Sequence, residues 1–191
     1  VMISVGSESG LGWLNGNDIQ HLGIEVEGIF LGLRDDTPHF VVDITENESA
    51  VKFLKESGAW AFEDTRAVTG LISGADSGIV AQARAQINWH HRHGFCSVCG
   101  YSTQIKRGGH MRLCEKCNTQ HFPRTDPVVI TAVSDGDRLL LGQSKGRLQA
   151  MNRYSVLAGF MDQGESIEEA VQREIMEESG IQVRNVRYHS S

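Results

Sequence analysis

Apolar residues along this chain fall mostly in short β-branched runs separated by turn residues, and switch to a helical period in a few places. Val128 to Val133 is apolar and β-branched, Ser134 to Asp137 reads as a turn through Asp135 and Gly136, and Arg138 to Leu141 returns as its partner strand. Tyr154 to Ala158 is a further short strand leading into a loop from Gly159 to Gly164, and Val183 to Tyr188 reads as one more strand. Between the last two, Ser166 followed by Glu169 ahead of a periodic apolar run is a capping box, and Gly180 is a natural stop, so the spacing predicts a helix. Nearer the start, Gly28 to Arg34 and His39 to Ile44 read as two strands across Asp35 to Pro38, and Ser49 to Glu56 as a short helix. Ser77 to His91 is a longer helix with Ile79, Ala83 and Ile87 on one side. Trp60, Phe62 and Trp89 read as core or interface residues.

The helix after Ser166 carries the first chemical signal. At 100° per residue, Ile167, Val171, Glu174, Ile175 and Glu178 fall in one sector, with Glu177 at its edge. Carboxylates therefore share the face expected to pack inward. Like charges three and four residues apart repel, the more so when partly buried. Arg173 is the one basic residue between Glu165 and Gly180 against six glutamates, so the helix cannot neutralise itself by pairing. A divalent cation would remove the repulsion, and oxygen ligands without a nearby histidine suit Mg²⁺ or Mn²⁺. Arg173 precedes Glu177 by four residues, close enough to orient that carboxylate.

The cysteines carry the second signal. All four sit in one place: Cys96 and Cys99 form one CxxC, Cys114 and Cys117 another, with 14 residues between the pairs. Each CxxC turn presents two thiolates to one ion, and a hairpin of that length, with Arg107, Gly108 and Gly109 at its tip, brings the turns together for tetrahedral binding. Two disulfides would need an oxidising compartment, and a redox CxxC would need only one pair. A closed four-thiolate shell has no place for water, so the zinc is expected to be structural. His93, His110 and His121 flank the site as surface residues or as partners of the ligands.

Composition narrows the class. With 191 residues, 40% hydrophobic and three prolines, the chain has room for one large or two small globular domains. No apolar run approaches bilayer length and no basic start leads into an apolar core, so a cytoplasmic protein without a membrane partner is expected. A net charge of −6 argues against a main role in sequence-independent binding of duplex nucleic acid, while leaving room for a local basic groove.

Gly159, Glu165, Arg173, Glu174, Ile175, Glu177, Glu178, Gly180 and Ile181 fit the pattern Gx5Ex7REUxEExGU throughout. The segment resembles the box of the Nudix hydrolases. A four-cysteine ribbon immediately before such a box, joined through His121, Phe122, Pro123, Arg124, Thr125, Asp126 and Pro127, is similar to the NADH pyrophosphatase branch of that family. The resemblance implies an α+β protein with a small N-terminal α/β domain (residues 1–75), a connecting helix (76–94), a zinc ribbon (95–122) and the first half of a Nudix α/β/α sandwich (126–191). It implies further that a segment selecting dinucleotides, and later strands, a second helix and a metal-binding glutamate, would follow the point where this sequence stops at Ser191.

The resemblance also implies an activity: metal-dependent hydrolysis of the pyrophosphate of NADH or NAD⁺ to nicotinamide mononucleotide and AMP, and removal of NAD caps from RNA. Glu174 and Glu178 would be ligands of the Mg²⁺ or Mn²⁺ together with the Ala158 carbonyl, and Glu177 would bind a second ion or help deprotonate water. Arg173 would orient the carboxylates. Phe160 matches a position that places an aromatic ring against the nicotinamide, packing within the fold being its other open role. Phe122, often tyrosine in the branch, would stack without a hydroxyl, and Arg66 corresponds to a substrate-binding arginine. A homodimer is implied by the resemblance as well. Two other functions fit the residues: a Nudix hydrolase for ADP-ribose or another nucleoside diphosphate derivative, and a zinc-ribbon binding module on an inactive Nudix scaffold.

Overall fold

A computed structural model describes residues 2–4, 10–24 and 27–191. The chain divides into two compact units, residues 1–124 and 125–191, and both helices and sheets occur, as the α+β reading requires.

In the first unit, β1 (Met2–Ser4) pairs antiparallel with β4 (Trp60–Phe62), and α1 (Gly16–His21) is held by a capping box from Asn15. The hairpin of β2 (Ile29–Arg34) and β3 (Thr37–Val41) is tighter than its sequence suggests. Asp35 and Asp36 both take positive φ, 50° and 58°, which matches strand twist and lets pairing resume at Thr37, leaving Pro38 inside an edge strand where its missing N–H is tolerated. Then come α2 (Glu48–Glu56), capped by Asn47, the single turn α3 (Thr65–Val68), capped by Asp64, and α4 (Gly74–Arg92). Ser73 caps α4 by accepting from the Asp76 amide, so the helix starts three residues before the apolar period is visible.

The ribbon follows as a three-stranded antiparallel sheet of β5 (Thr103–Lys106), β6 (Met111–Cys114) and β7 (Gln120–His121), with Arg107–Gly109 as a 3-10 turn at the hairpin tip. A Cβ on Gly109 would stand 2.6 Å from the Ile29 side chain, so only glycine lets the tip lie against β2. The tip and the end of α4 are fastened to each other by buried polar groups. His90 Nε2 donates to the Gly109 carbonyl at 2.8 Å, leaving Nδ1 to accept from Arg112 at 3.0 Å, and Arg112 also donates to the Thr103 hydroxyl and carbonyl. Loss of hydration, together with the Arg112 charge, lowers the His90 pKa, in keeping with a neutral ring in this place.

In the second unit, β8 (Val128–Thr131) takes β11 (Leu157–Phe160) as its antiparallel partner, with Ala158 opposite Ile130 and Gly159 opposite Val129. The expected hairpin exists on a smaller scale, β9 (Ser134–Asp135) pairing with β10 (Arg138–Leu139), and is a separate ladder from β8. A short helix, α5 (Arg147–Ala150), precedes β11, and α6 (Ile167–Ser179) is the helix announced by the capping box. Both halves of that box are formed, and Gly180 ends the helix at φ 71°.

Val129, Ala170, Val171 and Ile175 make the core under α6, with Val183 and Val186 packed against it. Residues 183–188 thus contribute packing without forming the expected strand, and Asn185 at φ 58° interrupts any extended run. Among the described residues no helix is long and apolar enough to cross a membrane.

Candidate active site

Arg173 is the centre of the acidic site. Its Nε and Nη2 grip both oxygens of Glu165 at 2.6 and 2.9 Å, Nη1 reaches Glu174 Oε1 at 2.9 Å and Glu177 Oε2 at 3.3 Å, and Nη2 also donates to the Phe160 carbonyl at 2.9 Å. Those five contacts match the five N–H groups of a guanidinium, a fork that lysine could not reproduce. The bond to the Phe160 carbonyl ties α6 to the end of β11, and the bidentate grip on Glu165 ties it to the turn at residues 162–165, where the Asp162 amide donates to Glu165 Oε2.

The electrostatics follow from this arrangement. Hydrogen bonds from Arg173 and from the Asp162 amide hold the Glu165 carboxyl down to about 2, and the surrounding carboxylates, Glu165 first, raise the Arg173 pKa. The i,i+4 pair of Arg173 and Glu177 expected from spacing is present, but it is the longest of the five contacts. The dominant partner, Glu165, is a patterned residue to which spacing assigns no role. Its separation of eight residues from Arg173 gives no helical pairing rule by which to find it.

Gly159 is the second structural element of the site. A Cβ built there would fall inside the Glu174 carboxylate, so Glu174 occupies the space that any other residue would need. Glu174 is accordingly well covered, its side chain 16% exposed, while Glu177 is 60% exposed. Glu178 is exposed and Ile167 is 46% exposed, contrary to the expectation that the whole sector packs inward. Helix length explains the difference. Thirteen residues of α6 extend about 20 Å, whereas four-residue strands extend about 13 Å, so residues at the two ends of the helix face have no strand beneath them.

Glu174, Glu177 and Glu178 are therefore brought to one stretch of helix beside β11 without forming a tight cage. Their donor set nevertheless fits a hard divalent ion, which retains waters and uses only one or two carboxylates together with substrate phosphates. Ala158 lies on β11, one residue before the glycine that receives Glu174. Phe160 ends the same strand and is 63% exposed. Phe122, 52% exposed, and Arg66, exposed on α3, belong to the first unit.

The cysteine site is gathered far more closely. All four sulfurs lie within 4.8 Å of one another, with Cys96 to Cys117 at 3.6 Å and Cys99 to Cys114 at 3.5 Å. A tetrahedron with Zn–S bonds of about 2.3 Å has edges of about 3.8 Å, whereas a disulfide needs about 2.05 Å, so the quartet fits a metal and not two bridges. The Thr119 hydroxyl and amide pull Cys117 down to about 6. At Cys99 the Tyr101 amide acts the same way, but burial and three neighbouring thiols outweigh it and push the group up to about 12. The Val98 amide and His121 Nε2 both lie 3.4 Å from Cys96 Sγ. Of the three flanking histidines, His121 thus touches a ligand, while His93 bonds to the Trp89 carbonyl and His110 to the Phe30 carbonyl.

Comparison with known proteins matches domain models to the regions that hold the two sites. The model of the NADH pyrophosphatase-like rudimentary NUDIX domain matches residues 10–89, that of the NADH pyrophosphatase zinc ribbon domain residues 91–122, and that of the NUDIX domain residues 123–191. The NAD-capped RNA hydrolase NUDT12 of Homo sapiens is 47% identical over 123 residues, covering 59% of this chain and 26% of the relative. Nudix hydrolase 19, chloroplastic, of Arabidopsis thaliana is 37% identical over 202 residues, covering 95% and 45%. The NAD-capped RNA hydrolase NudC of Pseudomonas syringae pv. syringae (strain B728a) is 35% identical over 182 residues, covering 94% and 60%. The chain spans between 26% and 60% of the length of these three relatives. With a four-thiolate ribbon, a fully patterned acidic helix and three adjoining domain matches, the chain belongs to the NADH pyrophosphatase branch of the Nudix hydrolases.

Proposed function

We propose that the protein hydrolyses the pyrophosphate of NADH and NAD⁺ to nicotinamide mononucleotide and AMP, and acts likewise on the NAD cap of RNA. The observation that carries this reading is the Arg173 node, which fixes Glu165, Glu174 and Glu177 at the end of β11 beside an exposed aromatic residue. Glu174 and Glu178, with the Ala158 carbonyl, would hold a divalent cation, Mg²⁺ or Mn²⁺, and Glu177 would contribute to a second position or take the proton of the attacking water. Such an ion, when bound, neutralises phosphate charge and lowers the pKa of water. The water oxygen ends on one phosphorus, the P–O–P bridge breaks, and the bridging oxygen leaves with the other phosphate.

Arg173 acts as a positioning residue. It spends its donors on the carboxylates and on the Phe160 carbonyl, so it fixes the direction in which Glu174 presents its free oxygen. Phe160 offers a ring face to the nicotinamide, and Phe122 and Arg66 are the further substrate contacts expected. Zinc at Cys96, Cys99, Cys114 and Cys117 is structural. The reduced thiols this requires suit the cytoplasm. The assembly expected is a homodimer, which light scattering checks.

Hydrolysis of NADH, with Mg²⁺ or Mn²⁺ present and products resolved by chromatography, tests the reading against a Glu178→Gln control. Reduced nicotinamide mononucleotide and AMP, lost in the control, are expected. Preferential cleavage of ADP-ribose would replace the substrate assignment. Cleavage of neither substrate would favour a binding module, in which Glu177→Gln and Glu178→Gln would stabilise the fold by relieving repulsion.

A further inference from the structure

Ile79, Ala83 and Ile87 mark one apolar face of α4, and the first unit does not close over it. All three stay half-buried, although Val80 beside them is covered. They form one wall of a cavity of about 690 Å³ lined wholly by residues of the first unit, Trp13, Phe40 and Leu54 among them. Small-molecule sites have volumes of roughly 300–1,000 Å³ and mainly apolar walls. A core left this open forfeits packing contacts that an occupant would restore.

The edge of the cavity is polar and carries an excess of positive charge. Arg84, Asn88 and His91 follow one another at spacings of four and three, so they form a stripe on α4 flanking the apolar wall. Asp43 is the one acid among the described lining residues, and both its oxygens are committed. Oδ2 accepts from His91 Nε2 at 2.9 Å, and Oδ1 accepts from the Thr45 amide at 2.9 Å. Arg84 is exposed and makes no ion pair among the described residues. Lys55 holds Nζ 6.0 Å from the centre of the Phe62 ring, itself part of the lining. Two cations thus meet one carboxylate that is already occupied, which draws an anion to the mouth.

Apolar walls below a cationic mouth select a ligand with an apolar body and an anionic head. The α4 wall is aliphatic, which suits a flexible chain, and a guanidinium fork matches a carboxylate. We propose that the cavity binds a medium-chain acyl carboxylate, its chain along Ile79, Ala83 and Ile87 and its head on Arg84, with Lys55 adding to the positive potential. The site is built from other residues than the acidic helix and does not depend on the function proposed for that helix.

The test titrates decanoate, below its micelle-forming concentration, into the full zinc-loaded chain, with binding read by calorimetry and decanol as the uncharged control. Saturable binding that raises the thermal unfolding midpoint is expected. Octanoate should bind about 15-fold more weakly, at about fourfold per methylene removed. Arg84→Gln, an exposed change, should weaken decanoate about tenfold and leave decanol unaltered. Ala83→Phe should fill the space and block both ligands without lowering the unfolding midpoint. If that variant fails to fold, Arg84→Gln carries the test.

Absence of saturable binding, equal affinity for decanoate and decanol, no effect of Arg84→Gln, or a fall in the unfolding midpoint with decanoate would overturn the proposal. Unchanged binding in a folded Ala83→Phe would do the same. A dimer, seen by light scattering, that Ala83→Phe dissociates would assign the face to a second copy and also overturn it. Hydrolysis of NADH is read separately, so loss of the cavity reading leaves the catalytic one standing, and failure of hydrolysis leaves decanoate binding intact.

Discussion

The cysteine ribbon and the acidic helix each gather groups of a kind that can take a metal ion, yet they are built in opposite ways. The ribbon gathers four sulfurs within 4.8 Å through two tight turns, and its ligands surround the central position. The helix strings three carboxylates along one element, one well covered and two open to solvent, and fixes only part of the set through Arg173. Ligand chemistry accounts for the contrast. A soft ion with a closed shell is part of the fold, whereas a hard ion that must meet phosphates needs an open, incompletely satisfied site.

Removing the ribbon's metal should have the largest effect. Structural zinc contributes about 10 kcal/mol or more to small domains, so chelation, or Cys114→Ser at the fully buried ligand, is expected to abolish the cooperative unfolding of the ribbon. Near-ultraviolet dichroism of Trp89, buried where α4 meets the ribbon, would report it. A protein that unfolds identically after chelation would break the contrast from the ribbon side.

The acidic helix should respond in activity more than in stability. Glu178→Gln leaves an exposed neutral side chain and should cost little fold stability, but is expected to reduce NADH hydrolysis by about 100-fold or more, a typical consequence of losing one electrostatic stabiliser. Equal turnover in the variant, measured at saturating metal, would show that the open carboxylates are surface charge.

Gly159→Ala couples the two properties. Its methyl group would displace the Glu174 carboxylate, with an expected loss of about 1–3 kcal/mol from overpacking and a fall in activity although no ligand is removed. Denaturant unfolding and kcat together check this, and Glu174→Ala in the same background should recover the stability alone.

The smallest effect concerns acid. Because the folded protein holds the Glu165 carboxyl at about 2 against an ordinary 4.5, its contribution to stability is complete above about 4.5 and is lost as pH falls through about 2. A pH series of unfolding midpoints should show this decline, and Glu165→Gln should remove it while loosening Arg173.

Local spacing alone makes much of the molecule legible. The two CxxC turns, the capping box from Ser166 to Glu169, the αL stop at Gly180 and the hairpin tip at Arg107 to Gly109 each depend on a few consecutive residues, and each stands where its sequence places it. The faces of α6 are legible too, since azimuth is fixed by helical period. Depth along that face is not, because the length of the sheet below it decides which turns are covered, and this leaves Glu178 in solvent.

Contacts between distant residues belong wholly to the tertiary structure. β8 pairs with β11 and not with the nearby β10, Asn185 turns an expected strand into packing, His121 rests on Cys96, and Arg173 reaches Glu165 across a turn. The sequence by itself determined which groups could bind metal and on which local elements they sit. Only tertiary packing decided which carboxylate Arg173 holds most firmly and why residue 159 must lack a side chain, because both depend on how closely α6 approaches β11.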